Sequence, residues 1–281
     1  MYFEERYETR QQLWLDGPHG GWLAFDRVLG RDVVLNIPYC PEDNRRFIRT
    51  AQFRARLRHA NLIPLLDFNV TRAGQPYFTD PHLEALDLRE SLRAGADGTL
   101  WDQCRILLQV CDAVRYVHAN DLLHLDLQPR NVLVTRSFQE VFLIRIHSSL
   151  PAADIRSEED SQSAVIIGNP AYMAPEQLDP ARSGRATAET DVYGLGGILY
   201  FMLYGTAPNQ GHATPPNSIL EALAKRLGPP SPDLGHFKDS VSRRLAKRLS
   251  PICERALHSD RERRHETVRE FYNELLAAMA P

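Results

Sequence analysis

The sequence predicts an α+β fold in which a small strand-rich part precedes a larger helical one. Three observations carry that prediction. Over the first eighty or so residues, short β-branched runs such as Val33-Val34-Leu35 sit between breakers, here Gly30 and Pro38. From Leu86 onward, apolar residues recur instead at helical spacing. The stretch Asp191 to Tyr204 is apolar all round and ends at Gly205, which predicts a buried helix at the heart of the larger part.

In chain order, the Val33–Leu35 strand is followed by a helical pattern from Glu42 to His59. There Phe47, Ile48, Ala51, Ala55 and Leu57 are set among many arginines. Strands are expected to resume at Leu62–Leu66 and at Tyr77–Thr79. Leu100, Cys104, Leu107, Leu108, Cys111, Val114 and Val117 then give one long helix with an apolar face. Pro215-Pro216 and Pro229-Pro230-Ser231-Pro232 mark loops around a short helix, and Ser250 to Ala278 read as two closing helices.

The bulk numbers exclude several classes. With 281 residues and 43% hydrophobic composition, the chain can bury a substantial core. A formal net charge of -3 gives no electrostatic case for nucleic acid or for an anionic membrane as partner. The most apolar run, Val192 to Tyr204, is too short to cross a bilayer, and the charged opening Met1–Arg6 does not read as a signal peptide. A cytoplasmic protein is expected. Cys40, Cys104, Cys111 and Cys253 lack metal-like spacing, so reduced thiols and no metal centre are expected. Lys225, Lys238 and Lys247 are the only lysines among 33 Lys+Arg, so the strand-rich part has none.

Four motifs in order carry a resemblance. His124-Leu125-Asp126-Leu127-Gln128-Pro129-Arg130-Asn131-Val132-Leu133-Val134 resembles the catalytic loop of a protein kinase. His59-Ala60-Asn61-Leu62-Ile63 resembles the segment after that family's regulatory helix. Gly168-Asn169-Pro170-Ala171-Tyr172-Met173-Ala174-Pro175-Glu176-Gln177 resembles the end of its activation segment. Asp191-Val192-Tyr193-Gly194-Leu195-Gly196 resembles the start of its buried helix, with Arg264 where the closing arginine pairs with Glu176. The likeness is greatest to bacterial kinases of the eukaryotic Ser/Thr type. It implies a single two-lobed protein kinase-like domain over residues 1–281, with an N-lobe of about 1–82 and a C-lobe of about 83–281.

Phosphoryl transfer on this fold depends on positioning and charge neutralisation, and the resemblance fails where that chemistry lies. Val33-Val34-Leu35-Asn36 aligns with the family's third-strand motif and puts Asn36 at its phosphate-gripping lysine. Thr50 falls at the glutamate that would hold that lysine. The strand Val141–Ile144 runs into Arg145-Ile146-His147 in place of the metal-binding Asp-Phe-Gly. A cation there supplies no oxygen ligand for magnesium. It either binds phosphate, pairs with Asp126, or reaches solvent from the strand end. The glycine-rich hairpin becomes Trp14, Asp16 and His19, with Gly17, Gly20 and Gly21 nearby, which also suits a simple tight hairpin.

Asp126, the family's catalytic base, and Asn131 survive. The loop lysine is Gln128, the activation-segment threonine is Asn169, and Leu125 replaces the arginine that would bind a phosphorylated loop. Pro81 and Leu83 at the hinge, with Leu133 as the floor, could still meet a purine. Asp80 behind them, Gly21 above and Val34 beside narrow or charge the space. The scaffold residues Glu176, Asp191 and Arg264 are kept. The expectation is a pseudokinase: no resident cofactor beyond weak, metal-independent ATP binding, and a protein partner engaged for signalling. The basic helix with Arg45, Arg46, Arg49, Arg54, Arg56 and Arg58 is one candidate surface, and Ser157-Glu158-Glu159-Asp160-Ser161 reads as an acidic loop. The alternative is an atypical or weakly active ATP-dependent Ser/Thr kinase, or a nucleotidyl transferase, using Asp126.

Overall fold

The computed structural model describes residues 2–3, 5–14, 19–93, 98–135, 140–146, 150–151, 168–178, 185–209, 237 and 239–280. Asp16, Gly17, His147 and the acidic stretch 157–161 lie outside the described residues, as do the proline-marked loops after 210. The chain divides into two compact units, Met1–Glu84 and Ala85–Pro281.

The first unit is a six-stranded antiparallel sheet with one helix. Its strands are β1 (Tyr2–Phe3), β2 (Tyr7–Trp14), β3 (His19–Asp26), β4 (Arg31–Pro38), β5 (Asp67–Val70) and β6 (Pro76–Pro81), ordered β1-β2-β3-β4-β6-β5. Pairing places Gly21 opposite both Asn36 and Trp14, and Val34 opposite Asp80. One side of the sheet buries Tyr7, Ala24, Val33, Leu35 and Tyr77. Phe78 packs with Phe47 and Ala51 of helix α1 (Asn44–Arg54). The strand expected at Leu62–Leu66 is displaced: Leu62 makes an isolated bridge, and the strand begins at Asp67. Pro64 has no amide hydrogen to add to a ladder, which accounts for the shift. Helix α1 is also shorter than its periodicity suggests, because Pro41–Asp43 form a 3-10 turn before it and the helix ends at Arg54.

The second unit holds β7 (Ala85–Asp87), α2 (Leu88–Arg93), α3 (Leu100–His118), β8 (Leu122–Leu123), β9 (Val132–Thr135), β10 (Val141–Leu143), β11 (Leu150–Pro151), α4 (Pro175–Leu178), α5 (Ala188–Tyr204), α6 (Ser240–Ala256) and α7 (Val268–Met279). A reciprocal capping box between Thr99 and Asp102 starts α3. The α5 helix is buried from Thr190 to Leu203 and stops at Gly205, whose φ of 69° only glycine adopts without strain. Around it pack α3, α6 and α7. Two glycines allow close approach to α5, Gly194 by the loop after β8, where a Cβ would lie 2.7 Å from Leu127 Cβ, and Gly196 by α6, where one would lie 2.7 Å from Ala256 Cβ. Cys104, Cys111 and Cys253 are buried thiols in this core, and Cys40 in the first unit is exposed. Among the described residues, no helix is long and apolar enough to cross a membrane.

Candidate functional site

In the second unit, α5 brings a carboxylate to the loop that follows β8. Asp191 is fully buried and accepts the His124 amide at 2.8 Å, the Leu125 amide at 2.8 Å and His118 Nε2 at 2.7 Å. Burial alone would raise its pKa, but His118, His124 and the Leu125 amide overcome this and hold it below the usual carboxylate range. Those bonds help hold Leu125 at a φ of 64°, a left-handed conformation that disfavours a branched side chain. Gln177 Nε2 secures the same residue by donating to the Leu125 carbonyl at 2.8 Å.

Leu125 turns the chain so that Asp126 is placed among amides. Gln128 Nε2 donates to Asp126 Oδ1 at 2.7 Å, and Asn131 Nδ2 donates to Oδ2 at 2.8 Å and to the Asp126 carbonyl at 2.6 Å. Asn169 Nδ2 donates to Gln128 Oε1 at 3.0 Å, tying the 168–178 segment to the loop through two neutral side chains. Asp126 is only 7% exposed. Burial pushes its carboxyl up; His124, the Arg145 charge, Asn131 and Gln128 pull the other way without cancelling the rise.

The loop is coupled to β10 by two further bonds. Ile144 N donates to the Asn131 carbonyl at 2.9 Å, and His124 Nε2 lies 3.2 Å from the Ile144 carbonyl. A carbonyl only accepts, so Nε2 carries the proton and Nδ1 accepts from Asp126 N at 3.3 Å. Burial lowers the pKa of this imidazole despite Asp191 and Asp126 nearby. Arg145, immediately after, adopts a φ of 60°, and its charge acts on Asp126. Below this layer, Arg264 grips Glu176 through Nη1–Oε1 at 2.7 Å and Nη2–Oε2 at 3.0 Å, while Thr190 Oγ1 donates to Oε1 at 2.8 Å. Burial opposes ionisation of Glu176, yet Arg264 holds its pKa below normal.

The first unit holds the remaining predicted residues, in an arrangement the sequence reading did not anticipate. Asn36 is 1% exposed on β4 and Thr50 is buried on the inner face of α1. Between helix and strand stands Arg54, itself 3% exposed. Its Nη2 donates to Asp80 Oδ1 at 2.6 Å and its Nη1 to Oδ2 at 3.3 Å, with a weaker bond to the Ile63 carbonyl at 3.5 Å. Asn36 Nδ2 donates to the same Oδ2 at 3.2 Å and to the Val34 carbonyl at 3.3 Å. The guanidinium carbon lies 4.8 Å from the centre of the Phe78 ring. Burial drives the Asp80 carboxyl up, and Arg54 and Asn36 counter it.

Arg54 is therefore no part of a solvated basic face. The signal for the pair was present: an acid in the buried run Tyr77–Asp80 needs a counter-charge, and Arg54 falls three residues after Ala51 on the apolar side of α1. The missing roof residue at Gly21 is also explained. The Trp14 indole occupies that space so closely that a Cβ on Gly21 would sit 2.2 Å from its ring. Pro81 ends β6 and Leu83 follows it, both half-buried in the first unit, whereas Leu133 is half-buried on β9 in the second.

Both Asp126 oxygens accept amide hydrogens, the Asn131 amide is turned onto Asp126, and a cation stands at position 145. Among the described residues, no three His, Cys, Asp or Glu side chains are grouped to hold a metal ion.

Comparison with known proteins agrees with the architecture. Residues 39–275 match the family model described as "Protein kinase domain". The chain is 33% identical to the DNA damage-responsive serine/threonine-protein kinase RqkA of Deinococcus radiodurans, over 87% of this chain and 36% of that protein. It is 26% identical to the serine/threonine-protein kinase PrkC of Bacillus subtilis, over 97% of this chain and 40% of that one. With PknB of Mycobacterium tuberculosis the identity is 27%, over 98% and 43% respectively. The chain thus spans well under half the length of these curated relatives.

Proposed function

The chain belongs to the protein kinase domain family, and from that premise we propose that it is a pseudokinase, a cytoplasmic signalling module that binds a protein partner and transfers no phosphate. One observation carries the reading. The side chain at the lysine position, Asn36, is tied to Asp80, whose charge is matched by Arg54, so the described first unit offers no lysine and spends this buried cation on its own carboxylate. Thr50 and Arg145 support it, since neither supplies the acid that kinase chemistry requires at its place. The net charge of -3 favours a protein partner over nucleic acid or a membrane.

The test is a thermal-shift titration with ATP, with and without magnesium or manganese, beside transfer assays with label at the γ- and α-phosphate. No metal-dependent stabilisation and no transferred label are expected. Metal-dependent stabilisation with γ-label on protein would overturn the reading.

A second reading, a weakly active Ser/Thr kinase or a nucleotidyl transferase, has a specific observation in its favour. Asp126 is intact and held by Asn131, and the relatives above are named as kinases. Transfer of α-label alone would select the nucleotidyl form.

A further inference from the structure

Helix α1 has two faces of opposite character. Phe47, Thr50, Ala51 and Arg54 are buried, and Arg54 fixes the helix to β6 through Asp80. Arg45, Arg49, Gln52 and Arg56 are exposed. Their spacing of four, three and four residues puts them in one stripe, about half a turn from Arg54. Arg56 belongs to the tight turn that continues the helix, its amide donating to the Phe53 carbonyl at 3.0 Å.

This stripe works against the helix that carries it. Glu42 and Asp43 immediately precede the helix, and no acidic residue occurs from Asn44 to Arg58. Arg45 and Arg49 are like charges four apart, and Arg45 and Arg46 stand at the helix N-terminus, where the backbone dipole disfavours cations. The remainder of a chain with net charge -3 is therefore acidic on balance, although α6 also carries Arg243, Arg244, Lys247 and Arg248.

We propose that the Arg45–Arg49–Gln52–Arg56 stripe is a docking surface for a short acidic segment of a protein partner, with the Arg54–Asp80 pair holding the stripe at a fixed angle. Guanidinium groups bind carboxylates in a planar, two-pronged fashion, and Gln52 adds a neutral donor in the middle of the row. The stripe runs for about three helical turns, roughly 16 Å, which suits a peptide of five or six extended residues. Nucleic acid is disfavoured by the overall acidity, which would repel a longer polyanion beyond the stripe.

The inference rests on the reading of the chain as an interaction module. Its test reads binding and not phosphate transfer, so either can fail without the other. A fluorescein-labelled hexaglutamate peptide is titrated with the full chain at 50 mM and 300 mM salt, and anisotropy is followed. The expected result is binding at low salt that weakens at least tenfold in R45E/R49E/R56E and stays within twofold in a control, R243E/R244E/K247E, at other exposed positions. Every altered side chain is exposed, so R243E/R244E/K247E should keep the parent Tm, and R45E/R49E/R56E, which removes the repulsion among cations within α1, should keep or exceed it. Equal loss in both variants, or no peptide binding by the parent, overturns the proposal. So does a labelled oligothymidylate of equal charge that binds more tightly through the same stripe.

Discussion

Arg54 and Asp80 form a buried ion pair, 2.6 Å at its shorter contact, that joins α1 to β6 across Phe78. The cation comes from the helix and the anion from the strand. That is the reverse of the order expected from the resemblance, in which a strand lysine meets a helix glutamate. The reversal links three residues, Asn36, Arg54 and Asp80, into one buried polar cluster of the first unit.

Replacing Asp80 by asparagine leaves the Arg54 guanidinium buried without its counter-ion. A loss of about 3–5 kcal/mol is expected, read from urea or thermal unfolding. The double variant R54M/D80L, which removes both charges, should return to near parent stability. Equal destabilisation by both variants would mean that shape, and not charge pairing, decides the site.

Acid unfolding should report on Glu176. Its pKa is lowered in the folded protein, so its contribution is fully present above the ordinary carboxylate range and is lost as pH falls below that range through the lower folded value. Asp191 acts with the same sign, whereas Asp126 and Asp80, both raised, act with the opposite one. Glu176→Gln should lower stability at pH 7 by about 3 kcal/mol or more, since Arg264 stays buried. It should also flatten the fall in Tm between pH 6 and about pH 3. A parallel pair of Tm–pH curves would contradict this assignment.

Gly194 is expected to tolerate no added atom. Gly194→Ala drives a methyl into Leu127 at 2.7 Å and displaces either α5 or the 124–131 loop, at about 1–3 kcal/mol. Proton NMR of the methyl region should show Leu127 shifted. Unchanged Tm and spectra would argue that the loop moves freely over the helix.

Arg145 lowers the Asp126 pKa through its charge. Arg145→Gln should therefore move the Asp126 carboxyl titration upward, as followed by carbon NMR of the side chain. The control Arg130→Gln, at an exposed position, should move it less. An unmoved Asp126 in both would place the Arg145 side chain beyond electrostatic reach.

The scaffold was legible because packing leaves long-range periodic traces. The all-round apolar run of α5 and the helical spacing of α3 each follow from burial, which the sequence records directly, whereas the Glu176–Arg264 pair was expected from the family resemblance. Motif order located Asp126, Asn131 and Asp191, but their hydrogen-bond partners were only partly readable. His118 lies 73 residues from Asp191, and no local pattern announces that contact. The pairing of Arg54 with Asp80, 26 residues apart, was missed for another reason. Six arginines in a row of similar context look alike until helical phase separates the inward one from the others. Strand boundaries near Pro64 were displaced because a short apolar run does not by itself say where ladder bonding begins.

The distribution of sulfur has a practical consequence for work on this chain. Cys104, Cys111 and Cys253 are buried, with burial raising all three and bringing Cys104 to about 12, so none presents a reactive thiolate at neutral pH. Cys40 alone faces solvent, one turn ahead of α1. A maleimide dye should therefore attach at a single position in the native protein, beside the arginine-bearing helix. Fluorescence from that one label could then follow events there without any cysteine having to be engineered in or out.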